Sequence, residues 1–305
     1  MEDVRVSARA SGEEGVRRRS ARRGFDWFPY LMIAPALGVI TIFSLVPTVY
    51  GVVVSLYTVQ FVQLLEFVGL RNYVEMFTDP HFWSAFGVSL TFTGGSVLLE
   101  VSIGMVLAIL ANTGLRLRGL FRVVSLLPWV ASYVVVYLIF KWLLNYDDGL
   151  LNALIFQLGG PKVGWLNDPT LATISLIIVD TWRGSPYAMI LLLAGLQTIP
   201  FELYEAAATD GATGWRAFRS ITLPLMRVPV LIVLVLLTII NFNVVVAQLV
   251  LTGGGPGRAT EPLSLLMYSE AFTYFRMGPA ASIAVFIFAL NLVLAGAYTR
   301  LLRAD

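Results

Sequence analysis

The chain has no cysteine and a single histidine, His81. The first absence excludes disulfides, thiol catalysis and cysteine-ligated metal. The second leaves too little for a histidine metal site or a catalytic dyad. His81 follows Pro80 and reads as a loop residue that caps or packs. Charge is scarce too, at 13% Asp, Glu, Lys and Arg over 305 residues, about half the share usual in soluble domains. No Gly-Lys-Ser/Thr follows any glycine run, so there is no phosphate-binding loop. No nucleophile elbow, carboxylate constellation or metal-ligand spacing supports an enzyme, and nothing calls for a nucleic acid.

What fills the chain is apolar. Hydrophobic residues make up 57% of it and mean hydropathy is +0.78, the composition of an all-α polytopic membrane protein. Residues 1–24 carry seven arginines and four acidic residues with no apolar periodicity, which reads as a disordered basic cytoplasmic arm. The apolar run from Trp27 to Leu56 is too long for a signal-peptide core, and no small-residue cleavage site closes it. It reads as an uncleaved first span, with Pro35 and Pro47 as possible kinks. Five further spans are expected: Phe86 to Ala111, Val123 to Leu144, Leu171 to Leu196, Val228 to Leu251 and Ala280 to Leu302. Each approaches or exceeds the ~20 residues that cross a ~30 Å hydrocarbon layer. Only helices satisfy the backbone of such continuous runs there. Residues 25–305 then form one six-helix domain.

Lys and Arg placement sets the orientation. With the N-terminus inside, inner segments hold fifteen basic residues and outer segments five: Arg71, Lys141, Lys162, Arg258 and Arg276. Both termini are therefore cytoplasmic, and so is the polar island from Pro200 to Pro224. Pro200 suits the first position of a helix, and Glu202 and Glu205 suit its positive end. Ala206, Ala207 and Ala208 keep that helix slim, and Gly211, after Asp210, provides a left-handed cap. Thr213 can cap a second short helix carrying Arg216 and Arg219. Such a helix–turn–helix must lie at the surface and suits docking in a partner's groove.

The string Glu205-Ala206-Ala207, then Asp210-Gly211, nine residues, then Ile221-Thr222-Leu223-Pro224 resembles the EAA loop of ABC importer permeases. The outer strings around Val68-Gly69-Leu70 and Thr252 to Pro256 are similar to those of maltose-type carbohydrate permeases, so the likeness runs from about Phe28 to Leu302. It implies a type I ABC importer permease in the bacterial plasma (inner) membrane. Glu205, Ala206, Ala207, Asp210, Gly211, Leu223 and Pro224 would form the coupling helix that meets an ATPase. The implied partners are two ATPase subunits, a second related permease forming a heterodimer, and an extracytoplasmic solute-binding protein. No cofactor would bind this chain directly, because ATP and Mg belong to the partner ATPase. The implied cargo is a sugar, with glycerol phosphate or another polar solute as the alternative. An ion-coupled secondary carrier would need Glu100 or the Asp180–Arg183 pair as its ion site.

A charge at mid-bilayer costs roughly 2.5–3.5 kcal/mol on insertion scales, so each one needs a reason. Glu100 sits in the second span and reads equally as a packing, gating or ligand residue. Asp180 and Arg183, three apart in the fourth span, can pair and fix helix packing, or can meet solute. Gly184, Ser185 and Pro186 follow, which predicts a bent or broken helix there, the kind of place where transporters bind cargo. In the fifth span Thr238, Asn241 and Gln248 share a face at helical spacing. Their hydroxyl and amides suit a sugar, or else hydrogen bonds between helices. The maltose-type family lines its sugar site with asparagines near this point. Asn241 matches one such position, but the next falls at Val244, a departure that bears on which sugar fits. Tyr187, Trp182 and Asn291 are candidates for further contacts.

Overall fold

The computed structural model describes residues 27–60, 63–113, 117–212 and 214–303. The arm expected at 1–24, Arg116 and the proposed cap Thr213 lie outside them. Residues up to Thr48 and those from Val49 onward form two compact units.

In the first unit α1 (Phe28–Ile40) carries Pro35 internally and ends in a π turn at Thr41–Leu45. The chain continues as α2 (Val46–Val54), so that Tyr30–Val54 is long and apolar enough to cross a membrane.

In the second unit, which begins within α2, an antiparallel hairpin of β1 (Tyr57–Gln60) and β2 (Gln63–Phe67) follows. The short helix α3 (Arg71–Thr78) follows the hairpin. The Tyr57 and Phe67 rings meet edge to face across the strands, a cross-strand pair of the type that favours pairing. Asn72 then donates to the Ser55 and Tyr57 carbonyls, tying α3 to the hairpin.

The spans follow. Asp79 accepts from the His81 amide, and with Pro80 in the first turn this caps α4 (Pro80–Asn112). The third span was expected to be continuous. It is two helices, α5 (Arg118–Val130) and α6 (Tyr133–Leu143), meeting at 88°. Ala131 and Ser132 are extended at the corner, and Pro128 has already removed one ladder donor. After the short outer helix α7 (Leu150–Gln157) comes α8 (Pro169–Leu196), whose Asp168 cap accepts from the Thr170 and Leu171 amides. The break expected at 184–186 is absent: α8 runs on through Pro186. Neighbouring helices can re-satisfy a proline's freed backbone group inside a bundle.

Between α8 and the next span lie α9 (Phe201–Thr209), α10 (Trp215–Ala217), a π turn and α11 (Leu223–Leu225). They lead at a 66° bend into α12 (Arg227–Asn243). The fifth span is not continuous to Leu251 either. It stops at Val244, which is extended, and resumes as α13 (Val246–Leu251). The freed Val244 carbonyl accepts from Ser264 Oγ at 2.8 Å, on α14 (Leu263–Tyr268), and the Leu263 amide donates to Ser89 of α4. These bonds satisfy the Val244 carbonyl and the Leu263 amide, the kind of pairing an apolar surrounding demands. The final span is α15 (Met277–Arg303). Among the described residues, four helices are long and apolar enough to cross a membrane, and six spans result if each bent pair counts as one.

Helices α4 and α8 form the spine. Lipid gives apolar side chains no reason to leave it, so close backbone approach through small residues does the work. Ser96, Glu100, Gly104 and Ala108 repeat every four residues along α4. Asp180, Gly184, Ala188 and Leu192 do the same along α8. A Cβ on Gly104 would sit 2.5 Å from that of Ala188, and one on Gly184 would overlap the Glu100 carboxyl.

Candidate functional site

Midway along this spine lies a cavity of about 250 Å³ lined by α4, the α5–α6 corner, α8 and α12. Glu100 reaches it from α4, 1% exposed, and Asn241 Nδ2 donates to its Oε2 at 2.9 Å. From α8 come Asp180, Arg183, Gly184 and Tyr187. Asp180 and Arg183 do not pair with each other. Asp180 Oδ1 accepts from the Tyr137 hydroxyl at 2.5 Å, and the Arg183 guanidinium lies 3.2 Å from the centre of the Tyr133 ring. That cation–π contact offsets part of the cost of burying the charge. Asp180 Oδ2 and Arg183 Nε, both buried, have no hydrogen-bond partner among the described residues. Trp129 and Tyr187 stack at 5.4 Å and give the cavity a flat aromatic wall.

The cavity thus gathers Glu100, Asp180, Arg183, Tyr187 and Asn241 from the sequence candidates and leaves out two. Thr238 faces Tyr298, with the hydroxyls 3.4 Å apart. Gln248 lies beyond the break at Val244, on α13, fully buried with both amide atoms unpartnered. The uniform stripe expected along the fifth span therefore does not exist. Of the weaker candidates, Trp182 packs edge to face on Phe140, and the buried Asn291 Oδ1 lacks a partner; neither lines the cavity. Sequence reasoning missed Trp129, Tyr133 and Tyr137. Aromatic residues in an apolar run carry no signal of their own, and only the nearby Pro128 hinted at a corner.

The polar island from Pro200 to Pro224 is the second candidate site. Pro200 is the residue before α9 rather than its first, and Glu202 lies in the first turn. The helix ends as the glycine predicts: Gly211 has φ +75°, and the Ala212 amide reaches back to the Ala207 carbonyl at 2.8 Å, a Schellman closure. Glu205, Ala206, Asp210, Gly211, Leu223 and Pro224 are exposed and Ala207 is half-buried. Beside them Trp215 is 74% exposed and stacked on Phe218. Tyr204 and Thr222 share a hydrogen bond of 2.9 Å that joins the two arms.

The second unit thus combines apolar helices long enough to span a membrane, a polar cavity between them and an exposed helical hairpin between α8 and α12, the architecture of a membrane permease. The family described as binding-protein-dependent transport system inner membrane component matches residues 100–304, and the chain belongs to that family. It is 39% identical over 268 residues to the trehalose/maltose transport system permease protein MalF of Thermococcus litoralis, covering 86% of this chain and 90% of that one. It is 36% identical to the lactose transport system permease protein LacF of Rhizobium radiobacter, covering 84% and 87%. Its fold matches a chain of a bacterial ABC transporter involved in import of the acidic polysaccharide alginate. That match has a TM-score of 0.79 and 24% identity, over 92% of this chain and 96% of the other. The protein is a multi-pass inner-membrane permease subunit of an ABC importer that works with a binding protein. The ion-coupled carrier is thereby set aside.

Proposed function

We propose that this permease carries a neutral di- or oligosaccharide and that the cavity around Asn241 is this subunit's share of the path. The observation that carries the reading is the lining itself. A carboxamide, a carboxylate oxygen on Asp180 and a guanidinium nitrogen on Arg183, the last two without partners among the described residues, line the same cavity as the stacked Trp129 and Tyr187. Hydroxyl groups both donate and accept, and an aromatic face suits the apolar side of a sugar ring. The names of the trehalose/maltose and lactose relatives point the same way. At about 250 Å³ the cavity falls just below the usual range of ligand pockets, in keeping with a second related permease that completes it.

ATP and Mg then belong to two partner ATPase subunits, and no cofactor sits on this chain. The exposed hairpin Pro200–Pro224 docks in an ATPase cleft through Glu205, Ala206, Ala207, Asp210, Gly211, Leu223 and Pro224. Closure of the ATPases moves the attached spans and opens the cavity outward to a solute delivered by the binding protein. Arg183 supports a second reading, a glycerol phosphate, since its buried Nε has no hydrogen-bond partner among the described residues and a guanidinium suits a phosphate. A thermal-shift screen of the cognate binding protein decides between them: stabilisation by maltose, trehalose or lactose supports the first, and by glycerol phosphates alone the second.

A further inference from the structure

We infer that Glu100 is a positioning residue: it holds the Asn241 carboxamide with its nitrogen turned away from the solute, so that Asn241 offers its carbonyl oxygen to a solute hydroxyl. The inference rests on the sugar reading above and deepens it. Glu100 is wedged between two helices at mid-span. On one side Gly184 leaves room that any Cβ would fill; on the other Asn241 Nδ2 donates to its Oε2 at 2.9 Å. Both side chains line the cavity, and both are buried, at 1% and 6% exposure. A carboxamide has one donor end and one acceptor end. The nitrogen carries two N–H groups; fixing one of them on a carboxyl oxygen sets which way the amide plane faces and leaves the carbonyl oxygen for a solute hydroxyl. A buried charge-bearing side chain in a span needs such a purpose, and helix packing alone does not call for an acceptor at this spot.

The test is solute binding by the assembled transporter in nanodiscs without the binding protein, titrated with maltose, trehalose and lactose. Asn241→Ala is expected to weaken binding about tenfold, the loss of one oriented hydrogen bond. Glu100→Ala should weaken it nearly as much, and Glu100→Gln, which can still accept from Asn241, should restore most of it. In the Asn241→Ala background Glu100→Ala should change nothing further, because coupled residues are not additive. The sharpest variant is an exchange. Asn241→Asp sets two carboxyls together and should impair binding. Glu100→Gln added to it restores a donor–acceptor pair, still with an oxygen facing the cavity, and should recover binding. Additive losses, or no recovery by the exchange, overturn the positioning role while leaving the sugar site intact. Indifference of binding to Asn241→Ala, or no binding of any of the three sugars by the unaltered complex, overturns the sugar reading and this inference with it.

Discussion

Tyr204 and Thr222 stand eighteen residues apart and share one hydrogen bond, 2.9 Å between hydroxyl oxygens. It links α9 to the π turn that leads into α11, so the exposed hairpin is braced from within. A brace of this kind lets a push on α9 reach α12 instead of bending the loop. Tyr204→Phe removes one partner at a modest cost of about 1 kcal/mol, too little to unfold the bundle. The expected outcome is normal membrane insertion and ATPase association but reduced uptake per ATP hydrolysed in proteoliposomes. Unchanged stoichiometry would show that the brace carries no motion.

Glu205 is exposed at the middle of α9, so Glu205→Lys should alter stability by less than about 0.5 kcal/mol while reversing the charge offered to the docking partner. Gly211 differs in kind, since its φ of +75° is one that a β-branched residue strongly resists. Gly211→Val should cost about 1–2 kcal/mol locally and unwind the Schellman turn. Both variants are expected to insert normally, to lose uptake and to retain less ATPase on affinity purification. Full uptake by both would remove the hairpin from the coupling path.

Buried Asp180 has one oxygen on Tyr137 and one without a close hydrogen-bond partner among the described residues. Tyr137→Phe takes away this 2.5 Å bond and leaves the buried carboxyl short of a donor, a cost of about 1–3 kcal/mol. Thermal unfolding in detergent should therefore fall. The double variant Tyr137→Phe, Asp180→Leu removes both partners and should regain much of the loss, because the penalty belongs to the orphaned group. A double variant less stable than either single one would mean that Asp180 holds the bundle by some other contact.

Much of this was legible in the residues. The spans Phe86–Ala111 and Leu171–Leu196 fall within α4 and α8 because apolar length alone decides them. The hairpin at 200–224 could be read because its signals are local: a proline, an alanine run and a glycine. The two interruptions could not. Pro186 lies inside an unbroken helix, whereas the chain breaks three residues after Pro128 and at Val244 with no proline near it. The difference is tertiary: the Val244 carbonyl is taken by Ser264 from another helix, and no local pattern announces that partner. The Asp180–Arg183 spacing allowed a pair, but Tyr137 and Tyr133, from a different helix, claimed each member instead. Asn241 was found by its polarity in an apolar run; its attachment to Glu100, 141 residues away, was not.

The four-residue repeats of α4 and α8 make a separate claim about stability. Gly104 faces Ala188 so closely that a Cβ would lie 2.5 Å away, with the Met189 amide nitrogen and Ser185 carbonyl oxygen at 3.1 Å. Those neighbours are backbone or a methyl fixed to it, so nothing can swing aside, and overpacking of this sort costs about 1–3 kcal/mol. Gly51, in contrast, has open space where its Cβ would go. Gly104→Ala should lower the thermal stability of the detergent-solubilised permease, and Gly104→Leu should lower it further or prevent assembly. Gly51→Ala should leave it level or slightly raised, since alanine favours helix. If Gly104→Ala unfolds at the same temperature as the unaltered protein, the close approach of α4 and α8 is not what holds the bundle together.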